Sequence, residues 1–499
     1  MTVFSVVETT ATGVHRTGPE PMAYFPPGVR IGHSASSFEL ARDHPGTQPV
    51  YYRVGHGRLE WGTHLADYLG GVVAPGPDPG CLLALIQGAI PAPDSTPVPG
   101  VQRLSVGTSV RVDSTGVTVS WRRSTPQRAV GGLSQVVAAS LGSVGSEFAI
   151  AYSGGLASAF VAASAIRAGR RPLLLHADLD PVFHARSLAT VPGLEIRRNP
   201  VDPFELLDHH PITGDEMLPP LPDIEVPRRM LARLAADSGV PIVSGGLLTT
   251  LTSVKLPDVQ AGPRGWRLLG CQPFHISGTL RTLAEARELL GKGVVYSPDA
   301  PRDEVRRAPD AQPVGASPPP SPTGGAKLPG LTANGRQALE TAHRGSMALW
   351  QEHLESLSPA LGRLTAGLEE HGDGAAVLPA LDPAVLAAVG AMAPERLGRI
   401  RRGMLRTHLP LRRAVADHGI NGVDESSSGF WLRLAAAGYL HRERAKIIAE
   451  LERGCALADL GLIEPAVITR VLRDGRMLAE LALPLLRMVW IDRWLRGRS

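Results

Sequence analysis

Ser153-Gly154-Gly155-Leu156-Ala157-Ser158 sets two hydroxyls and two consecutive glycines between a short apolar run, 147–152, and a stretch with helical spacing, 158–169. The chemistry suited to such a strand–turn–helix unit is anion binding. Glycine lets backbone N–H groups approach an anion, serine hydroxyls add donors, and the helix start adds the positive end of its dipole. A polyphosphate fits these donors, although a tight strand-to-helix corner needs the same glycines. A second run, Ser244-Gly245-Gly246, follows another β-forming stretch and leads into Thr249 and Thr250.

Further groups with chemical potential surround these turns in the sequence. His176 lies in the apolar run 171–177, with Asp178 and Asp180 just beyond it. The two aspartates would either supply oxygen ligands to a hard cation or cap the next helix. Arg399, Arg401, Arg402, Arg406, Arg412 and Arg413 read as a basic, helix-like cluster. It would neutralise pyrophosphate, since guanidinium groups stay charged and bind phosphate bidentately, or else form a solvated helix face. His408, Tyr152 and His176 read as packing or core hydrogen-bonding residues rather than catalysts. Cys81, Cys271 and Cys455 are widely spaced without metal-ligand spacing and read as buried thiols.

The elements that must position these groups follow from periodicity. Short strands at 2–8, 50–54, 109–113 and 116–121, broken by Gly, Pro and Asp and by one helix near 80–87, predict a β-rich domain over 1–125. Over 126–300 strands alternate with helices at 158–169, 181–190 and 227–239, which predicts a parallel sheet with ligands at the carboxyl ends of its strands. Ser153, His176 and Ser244 should share that edge. The proline-rich stretch 301–330 predicts a disordered linker or a lid. From 331 to 499 the chain reads as helical, clearest at 338–357, 383–393, 432–451 and 468–495, the last kinked or broken at Pro484. Hydrophobic residues at 43%, charged residues at 20% and a formal net charge of +4 describe a globular chain that does not require nucleic acid. With no signal-like start and no run of eighteen apolar residues, a cytoplasmic protein with no membrane partner is expected.

Ser153-Gly-Gly-Leu-Ala-Ser158 resembles the Ser-Gly-Gly-Leu-Asp-Ser signature of the ATP-pyrophosphatase (PP-loop, HUP-type) enzymes. Val98–Val110 resembles the end of the glutaminase-like (Ntn-type) domain of asparagine synthetases. Pro379-Ala-Leu-Asp382 and Arg402-Gly-Met-Leu-Arg406 resemble segments of their synthetase domain, and Trp490–Arg496 resembles the tail of lasso-peptide cyclases. The likeness covers nearly the whole chain. It implies an α/β protein with a glutaminase-like β-rich domain, a PP-loop parallel-sheet synthetase domain and a helical C-terminal half. It also implies ATP and Mg²⁺, with Ser153, Gly154, Gly155, Leu156, Ser158, His176, Ser244, Gly245 and Gly246 at the nucleotide and Asp178, Asp180, Arg402 and Arg406 as catalytic candidates. The implied reaction is acyl-adenylate formation followed by amine attack, as in peptide macrolactam or isopeptide formation.

The departures bear on that chemistry. Ala157 and Thr249 stand where the family has metal-binding aspartates, and Ser427 stands where it has a catalytic lysine. The glutamate expected before Pro379 is missing, and Thr2 replaces the nucleophilic cysteine, so glutamine hydrolysis is not expected unless Thr2 itself becomes an N-terminal nucleophile. The alternative is an inactive synthetase homologue that binds or scaffolds an active enzyme. The partners implied are a precursor peptide or small carboxylate and amine substrates, together with a partner biosynthetic enzyme.

Overall fold

The computed structural model describes residues 4–10, 13–17, 29–34, 36–43, 49–55, 58–63, 76–88, 94–121, 131–179, 188–208, 219–253, 328–342, 376–401, 404–423, 430–475 and 478–497. Thr2, Asp180, Cys271, Arg402, Ser427, residues 181–187 of the helix expected over 181–190, residues 343–357 of the helix expected over 338–357, and most of 301–330 lie outside the described residues. Leu328 is nevertheless packed in the core, and the Glu464 N–H donates to Gly330 O at 2.7 Å.

The N-terminal strands form two antiparallel sheets. One has the order β2 (Gly13–Thr17), β1 (Phe4–Thr10), β6 (Arg58–Gly62), β5 (Tyr51–Gly55), β7 (Val101–Arg103); the other has β3 (Val29–His33), β4 (Ser37–Arg42), β8 (Thr108–Asp113), β9 (Gly116–Trp121). Alternation by two turns Phe38 and Leu40 of β4, Val110 and Val112 of β8, Tyr52 of β5, and Leu59 and Trp61 of β6 into one shared core. Helix α1 (Pro79–Gln87) starts on Asp78, whose carboxylate accepts from the Gly80 and Cys81 N–H groups at 2.8 and 3.1 Å, and ends on left-handed Gly88.

After α2 (Leu133–Leu141), strand β10 (Ala149–Ala151) runs into α3 (Leu156–Arg167). Then follow β11 (Leu173–Asp178), β12 (Ile196–Pro200), α4 (Pro203–Leu207), α5 (Pro222–Ser238), β13 (Ile242–Ser244) and the single turn α6 (Leu248–Leu251). The four strands are parallel in the order β12-β11-β10-β13, and Val377 extends the row with a parallel bridge to Val243. Ile150, Leu174 and Val243 share one register row and pack against α2 and α3. On the opposite face Ala149, Leu175 and Ile242 pack against Leu231 and Leu234 of α5. A parallel sheet covered on both faces is the arrangement that strand and helix alternation requires.

The remainder is mainly helical: α7 (333–342), α8 (Pro383–Gly390), α9 (Pro394–Leu397), α10 (Leu409–Asp417), α11 (Phe430–Arg442), α12 (Arg444–Arg453), α13 (Ala456–Asp459), α14 (Pro465–Asp474) and α15 (Leu478–Arg496). Three details differ from the periodicity. The run 432–451 is two helices that meet at Glu443. Of the kink or break expected at Pro484, the break does not occur: Pro484 lies inside α15, where Leu481, Ala482, Leu485 and Leu486 around it are buried and this packing outweighs one missing backbone bond. The basic cluster is not a helix over its first half. Residues 399–406 form the hairpin β14 (Arg399–Arg401) and β15 (Met404–Arg406), and α10 begins only where Pro410 can sit in a first turn.

The two halves are joined through α1, which packs with the C-terminal helices rather than with the β-sandwich. Arg487 of α15 donates from Nε to Asp223 Oδ2 of α5 at 2.5 Å and from Nη1 to Ile86 O of α1 at 3.4 Å. Gly88 has φ 71°, a left-handed backbone that favours glycine, and the Arg487 guanidinium lies close against it.

Candidate functional site

Strand order locates the candidate site. The chain starts the sheet in the middle at β10, builds outward through β11 and β12, and returns to the other side with β13 and Val377. The direction of winding therefore reverses between β10 and β13, and the carboxyl ends of strands at such a reversal are where open parallel sheets hold their ligands. Ala151 pairs with Ser244 at that edge, so both Ser-Gly-Gly turns emerge side by side.

The first turn is shaped by close contacts. Gly154 has φ 74°, and a Cβ there would come within 2.9 Å of Leu188 Cδ2. Exposed Ser153 accepts the Gly155 N–H at Oγ, 3.3 Å away. Buried Ser158 donates to Gly155 O at 3.0 Å, which uses its only hydroxyl hydrogen, so in its 3.2 Å contact with Ser153 it is the acceptor. The second turn repeats the pattern, with Ser244 Oγ accepting the Gly246 N–H at 3.2 Å. Gly245 closes the space between the turns. A Cβ there would lie 2.7 Å from Ala157 C and 2.9 Å from Ser158 N, so only glycine lets this turn lie on the first turn of α3.

His176, although on the shared edge, is buried behind it. Its Nδ1 is 2.8 Å from Tyr152 O, and because a carbonyl can only accept, Nδ1 carries the proton. The Tyr152 hydroxyl in turn donates to Ala189 O at 2.7 Å, and burial pushes its pKa up to about 12. Together they fix the strand end that presents Ser153. Leu156 is buried with its side chain in the core, which leaves only its backbone for a ligand.

No family model matches this chain, and no curated protein matches it.

The remaining expected residues divide. Asp178 ends β11 with Oδ2 4.0 Å from Arg198 Nη1 of β12. Ala157 packs against the apolar core, and half-buried Thr249 lies on α6. Among the described residues no group of three His, Cys, Asp or Glu side chains is placed to hold a metal ion. Arg406 is exposed, while Arg412 donates from Nε to Thr407 O at 2.8 Å. Burial, and secondarily the charge of Arg406, lowers the Arg412 pKa.

Periodicity gives no sign of two features. Leu188 and Ala189 press on the first turn, and Leu247 and His408 both adopt left-handed backbone, φ 66° and 58°, at the starts of α6 and α10. Thr252, at the end of α6, meets His408 Nδ1 at 3.0 Å. Neither left-handed residue is a glycine, so composition carries no signal for them.

Among the described residues no helix is long and apolar enough to cross a membrane.

Proposed function

We propose that this chain is an asparagine synthetase-like PP-loop protein that binds ATP at the edge between β10 and β13. It would use ATP to activate a carboxylate for amide-bond formation without glutamine hydrolysis. The single observation that carries this reading is the parallel order β12-β11-β10-β13-Val377 with a Ser-Gly-Gly turn on each side of the reversal. The two facing antiparallel sheets before it support an Ntn-type, glutaminase-like N-terminal unit, and the helical half after it supports the synthetase assignment. The specific form favoured by Trp490–Arg496 is peptide macrolactam or isopeptide formation of the lasso type.

The residues fit the phosphates of ATP. The Ser153 and Ser244 turns lie side by side at the sheet edge, where backbone N–H groups at the start of α3 and the exposed Ser153 hydroxyl are suited to an anion. In the reaction a carboxylate oxygen attacks the α-phosphorus and the bond to pyrophosphate breaks. An amine then displaces AMP from the acyl carbon. Clamped phosphates would hold the in-line geometry, and the leaving pyrophosphate needs a cation, for which exposed Arg406 is the candidate. Mg²⁺ is not fitted by the described residues: Ala157 has no oxygen, Thr249 only a hydroxyl, and Asp178 is turned toward Arg198.

That misfit favours a second reading, in which the chain binds nucleotide or precursor peptide and acts as a partner of an active synthetase. Calorimetric titration of ATP with and without Mg²⁺ separates the readings. Binding that requires Mg²⁺ and is lost in Ser153→Ala or Gly155→Val supports the enzyme. Magnesium-independent binding supports the partner reading, and no binding at millimolar ATP overturns the nucleotide site. If only the metal site has decayed, Ala157→Asp with Thr249→Asp raises affinity in the presence of Mg²⁺.

A further inference from the structure

We propose that His408 is a positioning residue for the Ser244–Gly246 turn, acting through Thr252 and α6; its functional consequence rests on the reading of that turn as one wall of the phosphate site. Thr252 is fully buried, and its Oγ1 donates to Leu248 O at 2.7 Å. A threonine hydroxyl has one hydrogen. The 3.0 Å contact between Oγ1 and His408 Nδ1 therefore runs from the imidazole, and Nδ1 is the protonated ring nitrogen.

The backbone shows what this contact holds in place. His408 has φ 58°, unfavourable for a residue with a Cβ, and precedes α10 without giving that helix a side-chain cap. Its ring is directed across the chain to Thr252 instead. α6 is a single turn of four residues, too short to be held by its own hydrogen bonds. One end of it is left-handed Leu247, immediately after Gly246, and the other is Thr252 on His408. The anchor at Thr252 thus fixes where Gly246 and the Ser244 hydroxyl stand relative to Gly245, which lies on α3.

Three variants of the full chain separate this role from general packing. His408→Asn keeps a donor and a side chain that tolerates left-handed backbone. His408→Gly relieves the backbone but donates nothing, and Thr252→Val removes the acceptor. Amide exchange of Leu251 and Thr252, whose N–H groups donate to Leu247 O and Leu248 O, should quicken about five- to tenfold in the Gly and Val variants and stay near wild type in Asn, as expected for one net hydrogen bond. ATP affinity should fall by a similar factor in the same two variants only. Nitrogen-15 shifts of His408 should show a protonated Nδ1. Wild-type exchange in both His408→Gly and Thr252→Val, or an unprotonated Nδ1, overturns the proposal. Failure of the wild-type chain to bind ATP overturns the phosphate-site reading instead, and the exchange and tautomer results still decide the role of His408.

Discussion

Gly245→Ala is the most direct test of how the two serine–glycine turns are joined. The added Cβ would lie 2.7 Å from Ala157 C, 2.8 Å from Ala157 O and 2.9 Å from Ser158 N, all backbone atoms of the first turn of α3. Carbon atoms in ordinary contact sit about 3.5–4.0 Å apart, so helix and turn must separate by about 0.8 Å. No flexible side chain can move away to absorb this. Overpacking of this kind destabilises by about 1–3 kcal/mol, and the upper part of that range applies because α3 is buried against the sheet. Gly245 does not have a positive φ, so alanine adds no backbone strain and the effect is steric. Gly239→Ala is the complementary control. With φ 68° and nothing within 4 Å, it isolates the backbone term of about 1–2 kcal/mol. Urea unfolding of the two variants beside wild type measures both quantities. If Gly245→Ala falls within about 0.5 kcal/mol of wild type, the range of a neutral surface change, the second turn does not lie on the start of α3 as described.

Two further outcomes are expected. Arg487→Met leaves Asp223 without its partly buried cation and Ile86 O without a donor, and should destabilise by about 3 kcal/mol in urea unfolding, with faster amide exchange along α1; Arg487→Lys should rescue little, because an ammonium lacks the guanidinium fork. At alkaline pH two buried acids retain their protons in the folded chain. Burial, then the charge of Asp492, pushes the Cys455 thiol from 9.0 up to about 12, and burial pushes the Tyr152 phenol from 10.0 up to about 12. Their contribution is fully present below pH 9 and is lost as pH rises through the folded values. Between the ordinary and the folded pKa each group should lower unfolding free energy by about 1.4 kcal/mol per pH unit, and a flat urea midpoint from pH 9 to 11 would refute the burial of both.

The sequence by itself determined the features that depend on neighbours a few residues away. Glycines at 154 and 155 between a β-forming run and a helical one specify a strand–turn–helix unit, and Asp78-Pro79 with Gly88 sets both ends of α1. Alternation over 109–113 and 116–121 specifies β8 and β9 as strands. Tertiary structure alone decided which strands became neighbours, that 399–406 folded as a hairpin, and that α1 left the β-sandwich for the C-terminal helices. It also decided that His408 reaches Thr252 across 156 residues. The reason is range. Propensity, capping and periodicity act within one or two turns of the chain, whereas a left-handed Leu247 or a buried hydroxyl pairing is tolerated only because packing from distant segments holds it there.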